Sequence, residues 1–169
     1  MTVQYFLFLF CVGILLAAYL YNYREKHRKG TTNKLPPGYD SVTIKGNEKY
    51  QLEVVGESFY QDALEEICGP RTDEGVENNA TATLIFEDDN PKDNLAVRID
   101  IEGKTVGYLS RPFARLIRQT LAEAGYAGVT VHCNAIIRGG WDRGNRGKGQ
   151  YGVRLDVPQY DSRKGESPP

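Results

Sequence analysis

The hydrophobic pattern divides the chain into two unlike parts. Residues 3–20 (VQYFLFLFCVGILLAAYL) form a continuous apolar run with no charge and one strongly polar side chain, Gln4. At about 1.5 Å rise per residue, a helix of this length spans a hydrocarbon core of roughly 30 Å. Tyr5 at one end and Tyr19, Tyr21 and Tyr23 at the other suit the two membrane interfaces. A cleaved signal peptide would want positive charge ahead of the run, and residues 1–4 carry no charged side chain. The pattern predicts one retained transmembrane helix within residues 1–23.

Beyond it the apolar spacing shortens to the period of strands. Segments 42–44, 51–55, 81–86, 95–101, 105–109, 129–137 and 151–157 read as strands. In 81–86, Ala82, Leu84 and Phe86 alternate with Thr81, Thr83 and Ile85. Two stretches have helical spacing instead. The first is 61–67, with Ala63, Leu64 and Ile67 on one face and Gly69-Pro70 as a stop. The second runs to about Ala124 after Ser110 as N-cap, with Pro112 in its first turn. Phe113, Leu116, Ile117, Leu121 and Ala124 form its expected buried stripe. Residues 71–80 read as loop by composition, and 30–38 as a flexible tether. The organisation that follows is an anchor at 1–23, a basic juxtamembrane segment and linker at 24–38, a mainly β (α+β) domain at 39–158 and a disordered tail at 159–169.

Charge adds a direction. Arg24, Lys26, Arg28, Lys29 and Lys34 follow the apolar run against Glu25 alone. Positive residues stay on the cytoplasmic side, so a single-pass protein with its N-terminus outside and its domain in the cytoplasm is expected. Asn79-Ala80-Thr81 is a glycosylation sequon that this orientation leaves idle. Within the domain, residues 57–89 hold ten acids and one base, whereas 104–154 hold nine bases and two acids. Such a split can present a positive face to an anion, or the two halves can neutralise each other.

The chemistry of catalysis is poorly represented. Cys11, Cys68 and Cys133 are far apart and form no CxxC pair, which argues against zinc and against a disulfide framework. Cys133 reads as a small core side chain. His132 beside it makes a poor dyad, because strand neighbours point to opposite faces. No cofactor, metal or small-molecule substrate is expected, and no enzymatic activity.

One stretch carries a motif. At 87–94 (EDDNPKDN) an acidic, turn-prone corner opens into the strand 95–101, and Glu102-Gly103 turns into 105–109. Calcium is one reading of its oxygens, but Pro91 and Lys92 fall inside the loop and the hand-type spacing is missing. Val55-Gly56 with the aromatics after it, then Asn90-Pro91-Lys92-Asp93-Asn94-Leu95-Ala96-Val97, then Val106-Gly107-Tyr108-Leu109 before a helix, resembles the HIRAN domain. The resemblance covers roughly residues 52–157. It implies a six-stranded OB-like or SH3-like β-barrel with two helices that captures the 3′ end of single-stranded DNA. It implies further that Asn90 and Asp93 contact the terminal nucleotide while Phe59, with Tyr60 beside it, stacks on a base. The chain departs from binding members at Lys92, where they have an aromatic, and at Ser58, where they have a base. It also holds no GxxxxGK[ST] phosphate loop, so the helicase activity of larger members is not expected.

Two further elements could meet a phosphate backbone. Arg111, Arg115 and Arg118 make one row on the second helix, which is either a solvated face or a set of phosphate contacts. The glycine-rich loop 138–149 brings four bases and Trp141, the only tryptophan, and is either a mobile tip or a stacking surface. The expectation is a membrane-tethered module for single-stranded nucleic acid. Its alternative is a protein-interaction domain that kept the barrel and lost the DNA site.

Overall fold

The structure is a computed structural model that describes residues 40–158. Its elements in chain order are β1 (Ser41–Ile44), β2 (Leu52–Glu53), a 3-10 turn (Glu57–Phe59), α1 (Gln61–Cys68), β3 (Val76–Glu87), β4 (Ala96–Ile101), β5 (Lys104–Tyr108), α2 (Arg111–Glu123), β6 (Thr130–Gly139), a second 3-10 turn (Gly144–Arg146) and β7 (Tyr151–Asp156). The protein is therefore mainly β, a curled antiparallel half-barrel sheet with two helices. The sheet order is β2-β7-β6-β3-β4-β5. β6 has a divided edge: β7 pairs with its second half, from Asn134, and β1 runs parallel to its first half, Thr130 to Cys133. Among the described residues no helix is long and apolar enough to cross a membrane. The transmembrane reading at 1–23, the linker at 24–38 and the tail at 159–169 lie outside those residues.

Alternation decides which face is inside. Val97, Ile99 and Ile101 of β4 are fully buried while Arg98 and Asp100 between them are half-exposed. Ala82 and Leu84 join them from β3, and Val131, Cys133, Ala135 and Ile137 from β6. Each large aliphatic side chain so buried contributes roughly 1.5–3 kcal/mol. Burial also pushes the Cys133 thiol up to about 12, in keeping with an inert core residue. His132 lies on the other face, its Nδ1 3.1 Å from the Thr83 hydroxyl.

α1 is held by one side chain acting as a strand edge. Gln61 accepts from the Tyr151 N–H at 2.9 Å and donates to the Tyr151 carbonyl at 3.0 Å. The buried Tyr151 hydroxyl in turn donates to the carbonyl of Gly69, just past the helix end.

Two expectations need correction. Residues 76–80 are not loop: β3 begins at Val76 and pairs with β6 from Val76 opposite Gly139 onward. The polar run Glu77-Asn78-Asn79 hid a strand, because ladder hydrogen bonds are indifferent to side-chain polarity when one face meets solvent. The stripe on α2 is also only partly buried. Ala114 and Leu121, two turns apart, face the sheet, whereas Phe113 is 37% exposed and Ala124 is exposed. The sheet supports a single line of the helix, and the stripe is wider than that line. Ser110 stands at the N-cap position but makes no side-chain capping bond.

Candidate nucleic-acid interface

The two ends of the strand order meet at one bridge. Val55, just past β2, donates to the Tyr108 carbonyl at 2.8 Å and accepts from the Tyr108 N–H at 2.9 Å. The crossing needs Gly107, where an added Cβ would lie 2.7 Å from the Val55 carbonyl oxygen. Gly56 then takes φ 83° and turns the chain into the Glu57–Phe59 turn. Gly107 and Gly56 thus have separate mechanical tasks, a close backbone approach and a left-handed corner.

This turn projects an aromatic into solvent. Phe59 is 87% exposed, and Val55 nearby is 43% exposed. Such exposure of a large apolar ring on an ordered turn is unusual for a core residue and suits a contact surface. Tyr60 goes the other way. It is half-buried, with its ring 6.4 Å from the Tyr108 ring at a 46° tilt. Burial first, then the Tyr60 hydroxyl, pushes the Tyr108 phenol up to about 12.

From Tyr108 a polar chain leads to the corner. Arg98 stands opposite Tyr108 in the β4–β5 register. Its guanidinium forks onto Asp100 at 2.9 and 3.1 Å and reaches Glu87 Oε1 at 2.7 Å. Asn90 Nδ2 donates to the other Glu87 oxygen at 2.7 Å. The aromatic turn and the acidic corner are therefore parts of one surface, connected through Tyr108, Arg98 and Glu87. Those three were not among the expected site residues. The available signal was the pair Arg98 and Asp100, both charged and both on the outer face of an otherwise apolar strand.

The corner spends its polar groups on itself. Asn90 Oδ1 accepts from the Lys92 and Asp93 N–H groups at 2.9 and 3.3 Å, and Asp93 Oδ1 accepts from the Leu95 N–H at 3.1 Å. The Asp93 carboxylate, 14% exposed, also faces Arg111 at 3.4 Å and Arg115 at 3.7 Å. Arg118 is the strongest tie. It donates to the carbonyls of Leu95 and Ala96, each at 3.0 Å, and to Asp88 at 2.6 Å, while lying over the Phe86 ring. Lys92 is exposed at the corner tip.

The arginine row consequently divides. Arg118, 17% exposed, is a clamp, while Arg111 is 74% exposed and Arg115 48%. A groove of about 490 Å³ passes the corner between Leu95, Arg115, Arg118 and Tyr126. Phe59, Tyr60, Asn90 and Asp93 are not in its wall. The acidic and basic halves of the sequence partly neutralise each other across the fold, through Lys104 with Glu66, Arg118 with Asp88 and Arg138 with Glu77.

The basic loop is folded. Trp141 bridges Thr72, Asp142 bridges Lys148, and Arg143 lies 5.0 Å over the indole. Lys148 and the Gly144 N–H hold the Asp142 carboxyl below its usual range. Arg71 is stacked 4.8 Å over Tyr151 and donates to the Gly149 carbonyl, tying the end of the loop to the sheet. Among the described residues no group of three or more His, Cys, Asp or Glu side chains is placed to hold a metal ion.

Comparison with known proteins leaves the surface to speak for itself: no family model, no curated protein and no solved structure matches the chain.

Proposed function

We propose that this chain is a membrane-tethered, HIRAN-like binding module that engages the end of single-stranded nucleic acid. The observation that carries the reading is Phe59, an exposed ring on a turn braced by Gly56 and by the Val55–Tyr108 bridge. A base stacked on such a ring gains roughly 1–3 kcal/mol without regard to sequence. Arg111 and Arg115, exposed beside Asp93, supply charge for a phosphate, and Asn90 and Asp93 supply the polar edge. In this reading the half-barrel is an OB-like or SH3-like barrel of six strands, closed at Val55 and Tyr108, with β1 as an addition. The apolar run at 3–20 holds it to a membrane, with the domain on the cytoplasmic side.

A second reading is favoured by the internal bonds of the corner. Both Asn90 and Asp93 are occupied in holding the loop, which fits a domain that uses the exposed Phe59 and Val55 for a protein partner instead.

The test is fluorescence anisotropy of full-length protein in detergent, with oligonucleotides ending in 3′-hydroxyl or 3′-phosphate, at two salt concentrations. Salt-dependent binding that prefers one end and weakens in Phe59→Ala is the expected result. Binding at background level rejects the nucleic-acid reading. A membrane-protein partner that survives nuclease treatment, and is lost in Phe59→Ala, establishes the second. Glycan on Asn79, which is exposed on β3, would reverse the proposed orientation.

A further inference from the structure

The part of the α2 stripe that the sheet leaves uncovered forms one wall of an apolar groove of about 240 Å³. Phe113, Ile117 and Ala124 line it from the helix, Val42 and Ile44 from β1, and Pro158 from the end of the described chain. No charged side chain lies in its wall, and the hydroxyls of Thr120 and Tyr126 are its polar side-chain groups. It lies outside the surface assigned to Phe59 and Asn90.

Both ends of the described chain reach this groove, since Val42 stands two residues from Asp40 and Pro158 is itself in the wall. The occupant is therefore sought in the adjoining sequence. On the C-terminal side come Asp161, Arg163, Lys164 and Glu166, whose charges would be costly to bury there. On the N-terminal side stand Leu35, Pro36, Pro37, Gly38 and Tyr39, with no charge at all. We propose that residues 35–39 dock in this groove and cover the apolar face of α2.

The stripe from Phe113 to Ala124 is about 16 Å long at 1.5 Å per residue, and five extended residues at about 3.3 Å each cover the same distance. Pro36 and Pro37 have no N–H to leave unsatisfied in an apolar seat, and they favour the extended form at low entropic cost. Leu35 and Tyr39 supply the apolar bulk, and the Tyr39 hydroxyl has Thr120 and Tyr126 as polar company. The consequence is mechanical. The joint between the apolar run and the domain shortens to about residues 24–34, which orients the Phe59 surface relative to the tether. The docking does not depend on what Phe59 binds.

The experiment places one cysteine in the segment and one in the groove, Gly38→Cys with Thr120→Cys, in the full-length chain in detergent. After mild oxidation, tryptic mass spectrometry reads the linkage. The expected product is a disulfide between positions 38 and 120 of one chain in most molecules, falling at least tenfold when Leu35→Asp and Tyr39→Asp are added. Circular dichroism checks that the fold is kept in that variant. Free thiols at both positions overturn the proposal. So do linkage only between two chains, which makes the groove a seat for a second copy, and linkage unchanged by the aspartates. Linkage present in detergent but abolished in phosphatidylcholine vesicles makes it a lipid seat, and likewise overturns it.

Discussion

The turn at 56–60 and the corner at 87–96 belong to one surface yet use their residues in opposite ways. The turn leaves its apolar ring outside, with Phe59 87% exposed. The corner draws its polar groups inward, with Asn90 bonded to two N–H groups and to Glu87. Tyr108 separates them, bonded to Val55 on one side and opposite Arg98 on the other. Residue type alone would assign the reverse, burying the phenylalanine and offering the asparagine. What decides is the backbone. A loop of eight residues with a proline, 88–95, must satisfy its own N–H groups, whereas a 3-10 turn satisfies its own by local bonds and is free to point its side chain outward.

The largest expected effect comes from removing the tie that holds the corner. Arg118→Ala loses the bonds to the Leu95 and Ala96 carbonyls and to Asp88, at a cost of about 2–3 kcal/mol. Urea unfolding reads this, and amide exchange at 92–96 should accelerate with it. Unchanged stability would mean that the corner holds itself without the helix.

Phe59→Ala is expected to do the opposite. Stability should move by less than about 0.5 kcal/mol, as for an exposed side chain. Affinity for a single-stranded 3′ end should fall by roughly 5- to 150-fold, the equivalent of one lost stack. A substantial loss of stability instead would make Phe59 a structural residue and dissolve the contrast.

Asn90→Ala should cost about 1 kcal/mol, in the range of a lost capping bond. Asn90→Asp separates the two tasks of this side chain: it keeps the acceptor for the Lys92 and Asp93 N–H groups but sets a carboxylate against Glu87. If it matches the wild type in thermal unfolding at neutral pH, the contact with Glu87 carries no weight.

The smallest effect concerns the residue between the two regions. The Tyr108 phenol is raised from 10 to about 12, so the protonated form is the one favoured by the fold. Its contribution to stability is complete below pH 10 and disappears as pH rises toward 12. Ultraviolet titration should find one tyrosine ionising last. In Tyr60→Phe that late step should move to lower pH, because the neighbouring hydroxyl is one of the groups that raises it.

Much of the fold was legible along the chain. The strands at 95–101, 129–137 and 151–157 and both helices follow from alternation and from caps, because a buried face repeats with the period of its element. The strand at 76–80 was not legible, since Glu77, Asn78 and Asn79 resemble loop and its partner, β6, lies some sixty residues away. The width of the α2 stripe was legible, but the line of it that the sheet covers was not. Of the candidate site, the residue types at Phe59, Asn90, Asp93 and the arginine row were readable. That Arg118 ties the corner while Arg111 stands in solvent was not, as both belong to the same helical row.

By itself, then, the sequence determined the apolar run and the order of strands and helices. Those properties are local, fixed by period, charge and steric freedom over a few residues. The tertiary structure alone decided that Val55 meets Tyr108, that Arg98 joins the turn to the corner, and that Phe59 stays outside. Each depends on groups far apart in the chain competing for the same hydrogen bonds and the same buried space, and that competition is settled only when the sheet has curled.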